Sequence, residues 1–344
     1  MANGGIIGPP VSPTPVSQCA VTTSKTATGP FTTQPQTTAV DYLVVAAGGG
    51  GGNSSAGGGG GGAGGYITSF GCSCRGQITV GKATAYTMTI GAGGAGGCNN
   101  PYVSNGKGSD GTNTIAFCGT PIAITAEGGG AAGGTNSWPP TYAPLGPGSP
   151  GGSGGGGAFS CKTGGSGNTP PANCSGGGPG PVQGYDGGDS TCGPDPGASS
   201  GSGGGGATVV GTNSIGYSPC HSSNRGGPGG AGATNCITGS PVIYAGGGGG
   251  SSSPCAVPAV MGTGGPGGGG PATGTSGVAG TANLGGGGGG SNAGPGASPL
   301  RTGGTGGSGV IIIKEPAVCT VTTASGMWSQ QEQYYYSTLG EWQA

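Results

Sequence analysis

The constraint that dominates this sequence is contiguous glycine. Runs at 48–52, 57–62 and 285–290 carry no side chains and cannot join an ordinary hydrophobic core. Glycine also loses more backbone freedom on ordering than any other residue. Such runs are therefore either disordered or held by main-chain hydrogen bonds in packing that only glycine can enter. Glycine supplies 97 of 344 residues, and with 29 prolines it exceeds a third of the chain, a composition typical of low-complexity or collagenous chains. The contiguous runs break any G-X-Y register and exclude collagen. Disordered segments are usually rich in charge, yet only 5% of this chain is charged, and β-branched and aromatic segments punctuate the glycine. Ordered glycine is the better reading.

A physical form for that order follows from backbone geometry. Glycine readily adopts polyproline-II geometry, with three residues per turn and about 3.1 Å rise per residue. Stripped of side chains, several such helices can pack side by side and exchange N–H···O=C bonds. Each bond contributes about 1 kcal/mol net, against about 1–2 kcal/mol per residue for ordering, so the lattice needs reinforcement. The twelve cysteines offer one source: Cys19, Cys72, Cys74, Cys98, Cys118, Cys161, Cys174, Cys192, Cys220, Cys236, Cys255 and Cys319. An even, dispersed set in a chain with a weak core suggests disulfides formed after release into an oxidising medium. Free buried thiols are one alternative and structural zinc another. Neither Cys72-Ser73-Cys74 nor Cys220-His221 has the C-x-x-C spacing of zinc sites, and no metal or cofactor is expected.

Three regions are expected. Residues 1–40, rich in Pro, Thr, Ser and Gln, read as an extended arm, 41–316 as the glycine-rich domain and 317–344 as a tail. The apolar runs at 41–46 and 309–314 suit buried strands and bracket the glycine field like a clasp. Further strands are expected at 66–69, 77–80, 86–90, 112–118, 121–125, 207–210 and 242–245. Tyr86-Thr87-Met88-Thr89-Ile90 alternates with the period of a strand buried on one face. In the tail, Ser329-Gln330-Gln331-Glu332 is a capping-box pattern and Gly340 is placed to end a helix over 330–339. The predicted class is mostly irregular and β, with packed polyglycine-II helices, short strands at the domain's start and end, and a short C-terminal helix.

The chemistry of catalysis is missing. The G-x-G-x-x-G pattern recurs by chance in so glycine-rich a chain, and no helix follows Val44–Gly50 to aim at a pyrophosphate. Gly76-Gln77-Ile78-Thr79-Val80-Gly81-Lys82-Ala83 nearly spells a P-loop, but Ala83 replaces the magnesium-binding hydroxyl. The sole histidine, His221, has no acidic neighbour to orient it, and the cluster Asp186, Asp189 and Asp195 reads as a solvated loop. An enzyme is not expected. A net charge of −1 argues against nucleic-acid binding, and no run of eighteen apolar residues indicates membrane insertion. The start of the chain lacks a basic region followed by an apolar one, which suggests synthesis in a cytosol.

Binding fits better. The segments between glycine blocks carry Tyr102, Trp138, Tyr142, Tyr185, Tyr217 and His221, flanked by Pro, Asn and Ser. Rigid exposed rings supply contact area for sugars or proteins at low entropic cost. The tail carries Trp328, Tyr334, Tyr335, Tyr336 and Trp342, which suit docking on a neighbouring subunit as well as packing on their own domain.

The strings Asp41–Gly52, Gly64-Gly65-Tyr66-Ile67-Thr68, Thr89–Gly94, Tyr244–Gly250 and Gly306–Lys314, led by Gly29-Pro30-Phe31-Thr32-Thr33, are in order and suitably spaced over about residues 28–316. Together they resemble the glycine-rich domain of tailed-phage fibre and adhesin proteins. The terminal pieces Met1–Pro9 and Gly326–Ser329 look similar to those of structural proteins from aquatic tailed phages. The resemblance implies a virion protein, outside the cell after host lysis, in which packed polyglycine-II helices form a sandwich whose distal loops touch the host receptor. Implied partners are other virion proteins or copies of itself in a homo-oligomer, and a protein or glycan on the host surface. The cysteine content and the segments outside the glycine domain depart from the pattern. They leave an architectural subunit without receptor binding, such as a head fibre, decoration protein or extracellular filament, as the alternative.

Overall fold

A computed structural model describes residues 16–55, 57–71, 75–100, 103–135, 146–159, 162–169, 182–191, 200–216, 223–253, 259–292 and 301–320. Two compact units divide the chain: Thr22–Glu315, and a smaller one formed by Met1–Val21 with Pro316–Ala344. Within the smaller unit, Val16–Gln18 pairs antiparallel with Val318–Thr320, setting Cys319 opposite Ser17. No helix occurs among the described residues, and the helix expected at 330–339 lies outside them.

The larger unit is built in two ways. At one end the chain folds as ordinary β-structure. The strand Ala39–Val45 is central to a sheet whose order is Val21–Lys25, Val310–Glu315, Ala39–Val45, Tyr66–Thr68, with Ile78–Thr79 also on the central strand. The expected clasp forms as an antiparallel pairing, Val45 opposite Val310 and Asp41 opposite Lys314. Both faces of this strand pair are covered. Tyr42, Val44, Ile311 and Ile313 pack with Phe31, Met88 and Phe117 of a second sheet, Ile124–Ala126, Thr114–Cys118, Ala85–Thr89, Gly29–Thr32. Leu43, Val45, Val310 and Ile312 pack against Ala63, Ala207, Ile237, Tyr244 and Ala245. Double burial explains the unbroken apolar runs, whereas Met88, buried between the exposed Thr87 and the half-buried Thr89, gives the alternating one. Residues 22–40 take part in these sheets, although their composition reads as an arm.

Beyond the sheets the glycine blocks run as threads linked by main-chain hydrogen bonds of period three. In thread 46–53, Ala46, Gly49 and Gly52 donate to Gly65, Gly62 and Gly59 of an antiparallel thread. Ala47, Gly50 and Asn53 donate to Thr112, Ser109 and Gly106, and Gly48 and Gly51 to Gly307 and Gly304. Its carbonyls accept from three further segments, at 94–97, 129–135 and 288–291. Thread 57–65 likewise bonds to six neighbours, at 46–52, 127–133, 153–156, 202–205, 248–251 and 285–291. An inner thread is thus saturated in every direction perpendicular to its axis. Its glycines are needed for the missing Cβ rather than for unusual φ. A Cβ on Gly61 would fall well inside 3.0 Å of the Gly49 carbonyl, closer than packed atoms permit.

Outer threads need fewer glycines. Ala92 and Ala95 are exposed on a thread whose Gly91, Gly94 and Gly97 are buried, and Arg225 with Pro228 and Thr263 with Pro266 repeat the spacing of three. Side chains therefore emerge where a thread has no neighbour. The strand expected at 207–210 is instead a bend between threads, with Val209 and Val210 about half exposed.

Candidate functional site

Following hydrogen-bond direction from thread to thread reveals a polarity. The threads at 129–135, 152–157, 185–190, 209–214, 246–251 and 285–291 run in the same sense as 46–53. Each continues into one of the segments 136–145, 160–161, 192–199, 217–222, 254–258 and 293–300, and the chain then returns in the opposite sense. The residues from which these segments leave and to which they return therefore share one end of the unit, opposite the sheets.

That end is floored by buried polar side chains. Asn53, Ser54, Asn224, Ser251, Ser252, Ser291 and Asn292 are all buried. Asn53 Nδ2 donates to Ser291 Oγ (2.6 Å) and to the Arg301 carbonyl (2.9 Å), and Ser54 Oγ lies 2.7 Å from Thr135 Oγ1. Asn292 Nδ2 donates to the Ser252 carbonyl (2.8 Å), Ser252 Oγ to the Asn224 carbonyl (3.1 Å), and Arg301 Nη1 to Asn292 Oδ1 (3.2 Å). At thread ends the period-three ladder stops, and these short side chains satisfy buried main-chain groups that would otherwise go unmet. The floor ties several thread ends together and so holds the roots of the connecting segments in fixed relation.

Of the aromatic candidates, Tyr102, Trp138, Tyr142, Tyr217 and His221 lie outside the described residues, as do Trp328, Tyr334, Tyr335, Tyr336 and Trp342. The strands Cys98–Asn100 and Val103–Asn105 pair antiparallel at the polar-floored end. Tyr185 is 36% exposed, but it stands at the opposite end. Its N–H donates to Gly206 and its carbonyl accepts from Gly154, and it lies two residues past Gln183, whose carbonyl accepts from Tyr66 of the sheet.

Cys98, Cys118 and Cys236 carry thiols with no disulfide bridge, contrary to the disulfides suggested for these candidates. Cys72, Cys74, Cys161, Cys174, Cys192, Cys220 and Cys255 lie outside the described residues. Among the described residues no group of three or more His, Cys, Asp or Glu is placed to hold a metal. Asp186 and Asp189 have a structural task that composition hides. Spaced by three, they accept from the N–H groups of Gly167 (2.7 Å) and Gly164 (2.8 Å) on the adjacent thread. Asp110 and Asn113 do the same for Ala131 and Gly128. An Asx side chain thus stands in for a carbonyl at the lattice edge.

Comparison with known families decides the class. The glycine-rich domain family matches residues 23–315. The chain belongs to that family. The match coincides with the compact unit Thr22–Glu315, so the glycine-rich domain includes the leading strands and ends with the clasp. No curated protein matches the chain.

Proposed function

We propose that the threads are polyglycine-II helices and that this glycine-rich domain is the scaffold of an exposed tailed-phage virion protein, a tail-fibre or adhesin component. Period-three bonding to as many as six neighbours supports the first part, since three residues per turn send successive N–H groups in three directions. One observation supports the second: the residues from which the connecting segments leave and to which they return share a single end with a fixed polar floor, opposite the sheets, and the sequences of two of those segments carry Trp138, Tyr142, Tyr217 and His221 among Pro and Ser. A rigid scaffold that presents variable segments from one side is the usual arrangement of a recognition surface. In this reading the segments around Trp138, Tyr142, Tyr217 and His221 contact a host-surface protein or glycan, and the protein acts outside the cell after lysis.

The test is capture on envelopes from a panel of aquatic bacteria, using purified protein in which segments 136–145 and 217–222 are each replaced by Gly-Ser sequence of equal length. Loss of capture with retained thermal unfolding supports the adhesin. Capture unchanged by both replacements transfers the role to an architectural subunit. The polyglycine-II part is tested by amide exchange. Glycines at 46–53 and 57–65 should exchange as slowly as the central strand, and coil-like exchange there overturns it.

A further inference from the structure

The near-neutral net charge conceals a difference between the two ends of the larger unit. Four of the chain's eight lysines and arginines, Lys107, Lys162, Arg225 and Arg301, stand within the first three residues of threads that return from the polar-floored end. Among the described residues, Asp189 is the one carboxylate near that level, and its Oδ1 accepts from the Gly164 N–H (2.8 Å). Asp110 and Asp186 lie deeper along their threads, each accepting from a main-chain N–H. Asp195 belongs by sequence to segment 192–199, outside the described residues. Cations therefore outnumber carboxylates at this end. The sheet-bearing end is balanced and its cations are occupied. Lys25 Nζ donates to the Pro30 carbonyl (3.1 Å), Lys82 Nζ to Gln36 Oε1 (3.4 Å), Lys314 lies over the Phe70 ring, and Arg75 is buried. Asp41, Glu127 and Glu315 share that end.

At the polar-floored end the cations are free and their roots are fixed. Arg225 is exposed and Lys107 and Lys162 are half-buried, and none of these three side chains has a hydrogen-bond or ion-pair partner among the described residues. The Lys162 N–H donates to Ser190 Oγ (2.7 Å), and its carbonyl accepts from the Ser190 N–H (2.9 Å). Arg225 exchanges both main-chain bonds with Ile215, and the carbonyl of Gly106, next to Lys107, accepts from the Asn53 N–H. Arg301 accepts from Asn53 Nδ2 at its carbonyl and donates from Nη1 to the Gly274 and Asn292 carbonyls. Positions held before binding lower the ordering cost of contact.

The four cations border the end without converging on one point. Lys107 and Arg301 begin threads that both bond to 46–53 and flank 94–97. Lys162 and Arg225 begin threads that bond to Gly155 and Gly201, on the far neighbours of 57–65. A lone phosphate or small acid cannot reach both sides of that border, whereas a charged polymer can. Nucleic-acid surfaces gather cations into dense patches to match closely spaced phosphates. Four cations spread round a border match sparser charge, such as one carboxylate on each sugar of a chain. We propose, on the reading of this end as the recognition surface, that it binds an acidic polysaccharide whose carboxylates meet Lys107, Lys162, Arg225 and Arg301.

Biolayer interferometry of the full chain on immobilised polygalacturonate, alginate and hyaluronate tests this, with dextran as a neutral glycan and oligo(dT) as a nucleic acid. At least one acidic glycan should bind and dextran should not. Raising salt from about 50 to about 300 mM should weaken binding about tenfold or more. Arg225→Gln should weaken it about threefold, and the triple variant Lys107→Gln, Lys162→Gln, Arg225→Gln about tenfold or more. The double variant Lys25→Gln, Lys82→Gln removes charge from the sheet-bearing end and should leave binding unchanged. The triple variant removes no side-chain bond among the described residues and should keep the wild-type melting temperature; where it does not, Arg225→Gln alone decides. Absence of binding to all three acidic glycans overturns the proposal, as does binding that the triple variant leaves unchanged or that the sheet-end variant weakens equally. Tighter binding to oligo(dT) than to any acidic glycan also overturns it and gives the surface to nucleic acid. Envelope capture without acidic-glycan binding removes this assignment and leaves the adhesin standing. Acidic-glycan binding without capture on any envelope removes the adhesin and leaves this assignment.

Discussion

The sheets and the threads bury atoms by opposite means. In the sheets, Leu43, Val44, Ile311 and Ile312 fill space with side chains, and each position demands a particular shape. In the threads the space is closed by bringing main chains together until no side chain fits, and each position demands that nothing be there. A core of the first kind tolerates a smaller residue with loss and some larger ones with strain. One of the second kind has no smaller residue to receive and rejects every larger one.

That difference is sharpest at Gly61. Gly61→Ala places a methyl against the Gly49 carbonyl and adjacent main chain, and the variant should lose more than about 4 kcal/mol or fail to fold. Guanidinium unfolding and soluble yield check this, and a wild-type midpoint would end the contrast. Ile311→Ala, in the fully buried clasp strand, should cost about 2–5 kcal/mol and still fold, as measured by the same transition. At the lattice edge, Asp189→Ala removes the acceptor of the Gly164 N–H. Water can replace it at that exposed position, so the loss should be about 1 kcal/mol or less, with faster exchange of the Gly164 amide as the local readout.

A titration sharpens the sheet side. Burial raises the Tyr244 hydroxyl pKa above its ordinary value of 10.0, so the folded state holds the proton more tightly than the unfolded one. Stability from this group is complete below about pH 10 and is lost as pH rises towards the folded value. Melting temperature should fall over that interval, and Tyr244→Phe should flatten the fall; identical slopes would reject the assignment. The smallest effect belongs to Gly76→Ala. Nothing lies within 4 Å of a Cβ there, and the change should stay within about 0.5 kcal/mol. A large loss at Gly76 would mean that glycine is required for some reason other than close packing.

The two regions were also unequally readable. The clasp was legible because the apolar runs at 41–46 and 309–314 are long, isolated and doubly buried. Ile78–Thr79 was legible as strand despite its near P-loop setting, since its residues are β-branched. Thread partners were not legible, because Gly49 and Gly50 are chemically identical yet bond to different neighbours. The valines at 209 and 210 misled for a related reason: on an outer thread, apolar side chains mark a missing neighbour, not a buried face. Asp186 and Asp189 read as solvated, and only the neighbouring thread shows why they are three apart.

The shared sense of the threads has an evolutionary consequence. A connection that leaves and re-enters at the same end can grow or shrink without moving the register of any thread beneath it. Doubling its length adds only about 0.6 kcal/mol of closure entropy. Insertion and replacement can therefore be absorbed on one side of this protein, while the inner-thread glycines below have no room for any side chain.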